Sequence, residues 1–258
     1  MLSDMFYLEM VLALGEKYHY DSFHAKTVDR LATTIFEKLR DLHQLGEEEL
    51  NLLRHGALLH DLGIQISTKK HHKHAAYLVM NDQQLEGYPK KERQLLALLV
   101  RNHRKDVKLE DEDLSRYGWE VLPKLIAILR IADALDYFHR GETVVRDVYI
   151  EGNRCLFKID GVNLDALNDH LKKKAAFFKE AFGLKAVFVN DQQEAVPSVE
   201  AVEIAAKEID IENQLSEYDS GITEVKAENT TREGELPEQL ASVDATEQAK
   251  EVKEPVID

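Results

Sequence analysis

The chain has 258 residues, which is enough for one large or two modest domains with a substantial core. Its single cysteine, Cys155, excludes an internal disulfide, and no run of about 18 apolar residues suggests a membrane partner. The net charge of −15 arises at the end of the chain, where residues 191–258 contain 19 acidic and 5 basic side chains. Residues 1–190, with 29 acidic and 28 basic side chains, are close to neutral, which disfavours nucleic acid as a partner. We expect a cytoplasmic protein.

The first 141 residues are predicted to form a helical domain, because apolar residues recur in them at helical spacing. The amphipathic start of the chain predicts a first helix rather than a signal peptide. Turn residues divide the rest of this domain into further helices, predicted over 21–43, 47–62, 71–81, from Pro89 to about 103, and over 121–137.

After Gly141 the helical spacing of apolar residues gives way to runs of β-branched and aromatic residues. Residues 142–190 are predicted to form a small α+β subdomain, with strands over 143–150, 154–160 and 185–189 and a helix over 163–182. Residues 191–258 show no dependable apolar period and are rich in acidic residues, so we expect a largely disordered tail. The predicted fold class is therefore mostly α.

Four polar residues continue the apolar stripes of the predicted helices, namely His24, His60, His103 and Asp133. A polar group that points into a core costs several kcal/mol unless it is paired, hydrogen-bonded or bound to a metal. We therefore expect these side chains to meet around a shared partner. The alternative is a buried hydrogen-bonded network without a ligand.

The adjacent pair His60 and Asp61 lies in the segment ALLHDLG, at 57–63. Neighbouring helical residues project about 100° apart, so the pair can serve two metals, or one metal and its bridging solvent. Imidazole and carboxylate together favour Mn, Fe, Zn or Co over Ca, which prefers oxygen ligands. Two such ions about 3.5–4 Å apart can clamp the phosphoryl oxygens of a substrate.

The order of His24, His60-Asp61 and Asp133 resembles the ligand pattern of the HD superfamily. The resemblance implies an HD-type helical bundle in which histidines from the intervening segments HHKH and NHRK complete a second metal site. It therefore implies two divalent ions, drawn from Mn, Fe, Zn, Co or Mg. The implied ligands are His24, His60, Asp61, His74, His103 and Asp133.

Basic residues lie beside these expected ligands. Lys73 and Arg104 are predicted to neutralise phosphate charge and, together with His60 and Asp61, to form the catalytic set. The alternative for Lys73 is a solvated basic surface. His71 and His72 are either ligands or substrate contacts, or else turn residues. Asp136, one turn after Asp133, is expected to orient a ligand histidine.

A closer resemblance covers roughly residues 5–190. The segments YHYDSFHAKTV, LLRHGALLHDLG, HHKHAAYLVMN and LLVRNHRK look like the C-terminal HD-like domain of the exopolyphosphatase / guanosine-pentaphosphate phosphatase family. That family holds its phosphatase site in actin-like domains, which this sequence lacks ahead of the HD-like region. We therefore expect a stand-alone form with its own metal chemistry.

The resemblance implies a phosphohydrolase that acts on a phosphoanhydride or phosphoester, in polyphosphate, a guanosine polyphosphate or a nucleotide. The alternative is a non-catalytic module that binds polyphosphate or nucleotide. The sequence leaves a homodimer open.

Overall fold

The structure is a computed structural model that describes residues 4–110 and 121–190. The predicted acidic tail, 191–258, lies outside the described residues. The helices are α1 (Asp4–Lys17), α2 (Ser22–Lys38), α3 (Arg40–His43), α4 (Glu47–Leu59), α5 (His71–Asn81), α6 (Lys90–Arg101), α7 (Val121–Leu135) and α8 (Leu164–Phe182). The strands are β1 (Val144–Glu151), β2 (Arg154–Asp160) and β3 (Lys185–Asn190). Two short 3-10 segments cover Leu62–Gln65 and Gln83–Leu85.

Helix α7 is the central helix of the body. Eleven of its 15 residues are buried, since it is apolar on nearly every side, and α2, α4, α6 and α8 pack around it. Burial of each of its leucines and isoleucines stabilises the fold by about 1.5–3 kcal/mol. The last turn of α7 contains Asp133, and Asp136 follows directly, so a largely buried helix positions both carboxylates.

Helix α2 begins with a side-chain cap, because Asp21 accepts a hydrogen bond from the backbone nitrogen of His24 at 3.1 Å. His24 consequently lies in the first turn and faces the core. The predicted helix over 21–43 is broken at Leu39, whose φ of −99° and ψ of 8° leave the helical range, and α3 follows as a separate turn.

Helix α4 ends earlier than its apolar pattern predicts. It stops at Leu59, and the His60-Asp61 pair lies in the turn that leads into the 3-10 segment. His60 keeps helical angles of −56° and −38°, whereas Asp61 takes −101° and 6°. The backbone therefore turns between the two side chains, and their directions differ from those of helix neighbours.

Gly63 allows α5 to approach this turn. A Cβ atom at Gly63 would overlap the carbonyl oxygen of His71 and lie 2.5 Å from the backbone nitrogen of Ala75. The absence of a side chain at this position is thus the local reason that the start of α5 lies beside Asp61.

The three strands form one sheet in the order β1-β2-β3. Strands β1 and β2 pair as an antiparallel hairpin through Gly152 and Asn153, with φ +57° at the glycine. Strands β2 and β3 are parallel, joined by the crossover helix α8. Helix α8 packs on both α7 and β3, so the α+β part shares its core with the helical body.

The predicted fold class, mostly α with a small α+β part, is confirmed for the described residues. None of the described helices is long and apolar enough to cross a membrane.

Candidate metal centre

Six side chains from five segments of the chain converge in the helical body. They form two groups of three, and within each group the candidate ligand atoms all lie within 4.8 Å of one another. The first group is His24, His60 and Asp133, and the second is Asp61, His71 and His103.

The first group joins the start of α2, the end of α4 and the end of α7. The Nε2 atoms of His24 and His60 lie 3.2 Å apart, and Oδ1 of Asp133 lies 3.8 Å from each. Both histidines are almost completely buried, with 1% and 0% exposure. Three potential ligand atoms therefore face one another in a site shielded from solvent.

The other ring nitrogens show which atoms of this group are available. Nδ1 of His24 lies 2.8 Å from Oδ2 of Asp136, and Nδ1 of His60 lies 2.8 Å from the carbonyl oxygen of Ala57. Because both partners are acceptors, Nδ1 of each ring carries a proton, which leaves Nε2 as the nitrogen that can present a lone pair.

Two opposed lone pairs repel each other unless a shared proton or a metal cation lies between them. Tetrahedral Zn–N bonds of about 2.0–2.1 Å would separate two imidazole nitrogens by about 3.3 Å. The observed separation of 3.2 Å between His24 and His60 therefore fits two ligands of one ion.

The second group repeats this arrangement at the junction of α5 with the end of α6. Nδ1 of His71 lies 3.1 Å from the carbonyl oxygen of Thr68, and Nδ1 of His103 lies 2.7 Å from that of Val100. Their Nε2 atoms are 3.3 Å apart, and Oδ1 of Asp61 lies 3.1 and 3.3 Å from them. The three atoms again point at one place, and here Nη1 of Arg104 is a further donor, 3.0 Å from Nε2 of His71.

Asp61 connects the two groups. Its Oδ1 belongs to the second group, while its Oδ2 lies 3.6 Å from Nε2 of His60 in the first. Although burial acts to raise the pKa of Asp61, His60, His103 and His71 hold that pKa well below its usual range. The carboxylate is thus ionised, and one of its oxygens lies near each group.

The protonation states fit metal ligation, which requires neutral histidine and ionised carboxylate. Burial lowers the pKa of His103 to about 4, so the ring is neutral at physiological pH. Burial acts to raise the pKa of Asp133, but Lys174 and His60 outweigh it and lower that pKa, so this carboxylate is ionised. Four imidazoles and two carboxylates suit Mn, Fe, Zn or Co.

The structure brings together five of the six residues that the sequence nominates, and His74 lies in neither group. His74 is half-buried one turn further along α5, where its Cβ atom packs against the turn at Gly63. His71, which the sequence left open between ligand and turn residue, is in the second group instead. Residues three apart share a helix face, so their spacing in the sequence does not show whether His71 or His74 is the ligand.

Of the two basic residues predicted to contact phosphate, Arg104 touches the second group and Lys73 does not. Nη1 of Arg104 lies 2.9 and 3.0 Å from the two ring nitrogens of His71, at the edge of the second group. Lys73 is exposed on α5. His72 is buried, and burial and then Arg104 lower its pKa to about 4; its Nδ1 has no hydrogen-bond partner in the described part of the chain.

Two residues that contact the first group, His139 and Lys174, were not indicated as site residues by any pattern in the sequence. The ring of His139 stacks on that of His24, with centroids 3.7 Å apart and planes at 5°, and Nδ1 of His139 pairs with Asp21 at 2.9 Å. Lys174, from α8, donates hydrogen bonds to the Asp133 carboxylate and to the carbonyl oxygen of His103. Both contacts join residues far apart in the chain, so no local pattern predicts them.

A positively charged cleft of about 690 Å³ adjoins the second group. It lies between residues 104–107 and helix α8, and two of its lining residues, Arg104 and Lys174, touch the cluster itself. Its cationic lining residues are Arg104, Lys105, Arg130, Lys173 and Lys174, against the acidic Asp106 and Glu180. This excess of positive charge suits an anionic ligand such as phosphate.

The sequence of the chain is similar to those of known proteins. Over residues 8–176 the sequence matches the family described as Ppx/GppA phosphatase, domain III. It is 31% identical over 119 residues to the guanosine-5'-triphosphate,3'-diphosphate pyrophosphatase of Pseudoalteromonas atlantica. The aligned segment is 45% of this chain and 24% of that protein.

Proteins of the same name from Aeromonas hydrophila and Pseudoalteromonas translucida are also similar. The first is 33% identical over 123 residues, covering 46% of this chain and 24% of that protein. The second is 27% identical over 158 residues, covering 61% and 30%. The chain thus spans less than a third of the length of these relatives.

Proposed function

Since this chain belongs to the Ppx/GppA phosphatase family through its domain III, we propose that it is a metal-dependent phosphohydrolase with two divalent cations in the six-residue centre. The observation that supports this most is the opposed pair of buried Nε2 atoms in each group, 3.2 and 3.3 Å apart. All six residues lie within the segment that matches the family.

The residues of the chain have distinct roles in this proposal. When bound, a pair of divalent cations supplies Lewis-acid polarisation of phosphoryl oxygens and lowers the pKa of water to near neutrality. Asp61 joins the two groups, and Asp136 holds His24 in the tautomer that presents Nε2. Arg104 and the exposed Lys73 are assigned to neutralising the charge of the substrate phosphate.

The ligand set of the proposal has one change from the sequence-based set, since we assign His71 rather than His74. His71 places Nε2 3.1 Å from Oδ1 of Asp61 and 3.3 Å from Nε2 of His103. The proposed cations are Mn, Fe, Zn or Co, which mixed imidazole and carboxylate sites favour, whereas Mg, the other ion of the sequence-based set, prefers oxygen ligands.

The proposed substrates are phosphoanhydrides or phosphoesters, with polyphosphate, guanosine polyphosphates and nucleotides as the members to test first. The relatives named guanosine-5'-triphosphate,3'-diphosphate pyrophosphatase support a guanosine polyphosphate. The basic cleft beside the second group supports any ligand with several phosphates.

The test combines metal content with hydrolysis on one preparation. We expect purified protein to contain about two transition-metal ions per chain and to release phosphate from at least one member of the panel. Asp61→Ala is expected to lose both metals and activity, because it removes the ligand shared by the two groups. Asp147→Ala, at an exposed acid on β1, is the matched control and retains both. Full activity in a verified metal-free Asp61→Ala protein would overturn the proposal.

The basic cleft also favours a second candidate function, a non-catalytic module that binds polyphosphate or nucleotide. Metal-free, inactive wild-type protein that still binds polyphosphate would favour this module over the enzyme. Binding that depends on added Mn²⁺ and is followed by phosphate release would favour the enzyme.

A further inference from the structure

Lys174 connects the α+β part of the protein to the candidate metal centre. It lies on α8, and its side chain is only 18% exposed although it is a lysine. Its ammonium group donates hydrogen bonds to Oδ2 of Asp133 and, at 2.8 Å, to the carbonyl oxygen of His103. One cation from outside the HD-type body therefore touches a residue of each group.

The contact divides the two oxygens of Asp133 between different partners. Oδ1 lies 3.8 Å from Nε2 of His24 and 3.8 Å from Nε2 of His60, on the side of the first group. Oδ2 is occupied by the ammonium of Lys174. Only one oxygen of this carboxylate thus faces the place where the imidazole lone pairs meet.

The position of Lys174 is itself fixed by Arg130. The guanidinium of Arg130 is buried, and it donates to the carbonyl oxygen of Lys174 at 3.1 Å and to that of Asn102 at 2.9 Å. The same side chain therefore holds the backbone of α8 at Lys174 and the backbone that precedes His103. This arrangement leaves the ammonium little freedom to leave Asp133.

We propose that Lys174 is a positioning residue that holds Asp133 as a one-oxygen ligand and so sets how tightly the first group binds a divalent cation. This inference takes one part of the proposed function as its premise, namely that the six residues bind a divalent cation, and it does not require that the protein hydrolyses a substrate. Carboxylates bind cations through one or both oxygens, and a neighbouring ammonium repels a divalent cation. Lys174 thereby weakens cation binding and keeps a coordination position free for substrate.

Removal of the ammonium therefore has opposite effects on binding and on hydrolysis. With Oδ2 free, Asp133 can use both oxygens on the ion, and the repulsion by Lys174 is gone, so affinity rises. The ion then has fewer positions for substrate, so kcat falls. A residue with a merely structural role would instead weaken both properties when replaced.

The experiment compares Lys174→Met with Lys172→Met, an exposed position on the same helix, by titrating Mn²⁺ into chelator-stripped protein. We expect Lys174→Met to bind Mn²⁺ about tenfold more tightly than the wild type, and Lys172→Met to match the wild type. Lys174→Arg, which keeps a cation and its donors, is expected to restore wild-type affinity. Steady-state kinetics are expected to show a lower kcat for Lys174→Met.

Folded Lys174→Met that binds Mn²⁺ no more tightly than the wild type would overturn the proposal. If Lys174→Met does not fold, Lys174→Gln keeps an N–H donor without the charge on a side chain one methylene shorter, and its Mn²⁺ affinity is compared with that of the wild type instead. Wild-type protein that binds Mn²⁺ but hydrolyses nothing contradicts the proposed enzyme and leaves the affinity comparison to decide on Lys174. Wild-type protein that binds no divalent cation overturns both.

Discussion

The imidazole rings of His71 and His103 stack with centroids 5.3 Å apart and planes at 14°, although 32 residues separate them in the chain. The stack aligns their Nε2 atoms toward Oδ1 of Asp61, whereas His74 is outside the group. We therefore predict that His71→Ala lowers bound metal from about two ions to about one per chain and reduces hydrolysis about 10- to 100-fold.

His74→Ala is the matched control, on the same helix and one turn away, and is expected to retain both ions and most activity. Metal analysis of the two purified variants makes the comparison. The assignment of His71 is wrong if His74→Ala loses an ion and His71→Ala does not.

Asp136→Asn tests whether Asp136 selects the tautomer of His24 in the first group. Asp136 accepts a hydrogen bond from Nδ1 of His24 at 2.8 Å and another from the backbone nitrogen of Gly141 at 2.8 Å. An amide in its place can donate to Nδ1, which favours the tautomer with the proton on Nε2 and blocks ligation. We expect the affinity for Mn²⁺ to fall about 10- to 100-fold, measured by calorimetric titration. Unchanged affinity would show that Asp136 does not select the tautomer.

Gly63→Ala tests the close approach of α5 to the His60-Asp61 turn. The added methyl group would overlap backbone atoms of α5, which cannot move aside as a flexible side chain can. We expect a loss of stability of about 1–3 kcal/mol in urea unfolding and weaker binding of one metal ion, because His71 is displaced. Gly87→Ala, where the nearest atom is the flexible end of Met10 at 3.4 Å, should cost much less. Equal stabilities of the two variants would contradict this account.

Asp82→Asn tests an ion pair away from the metal centre. Asp82 accepts hydrogen bonds from Nζ of Lys17 at 2.7 and 2.9 Å and from the hydroxyl of Tyr18 at 2.7 Å. Burial acts to raise the pKa of Asp82, but Lys17 and the other donors outweigh it, and the pKa is lowered. The carboxylate therefore stabilises the fold above its unfolded pKa of about 3.9, and this contribution is lost as pH falls through the lowered value.

Asparagine keeps the shape of the side chain but removes the charge. We expect Asp82→Asn to be less stable than the wild type at pH 7, with the difference shrinking below about pH 4, in urea titrations at several pH values. A difference that stays constant with pH would indicate that the charge plays no part.

The fold class and the family follow from local patterns in the sequence. Apolar residues at helical spacing predict the helices of the body, and the β-branched runs after Gly141 predict β1, β2 and β3. The family assignment rests on motifs such as HHKHAAYLVMN, and the match over residues 8–176 confirms it. The ends of helices are less predictable, as at Leu39 and Leu59, because capping and packing decide where a helix stops.

The sequence by itself determined that His24, His60, His103 and Asp133 point into a core, since each continues an apolar stripe and a buried polar group needs a partner. Only the tertiary structure decided which atoms meet. The choice of His71 over His74 depends on how α5 packs against Gly63, and the contact of Lys174 with Asp133 depends on how α8 packs against α7. Helical periodicity specifies the face on which a residue lies, whereas the partner across that face is set by contacts between segments distant in the chain.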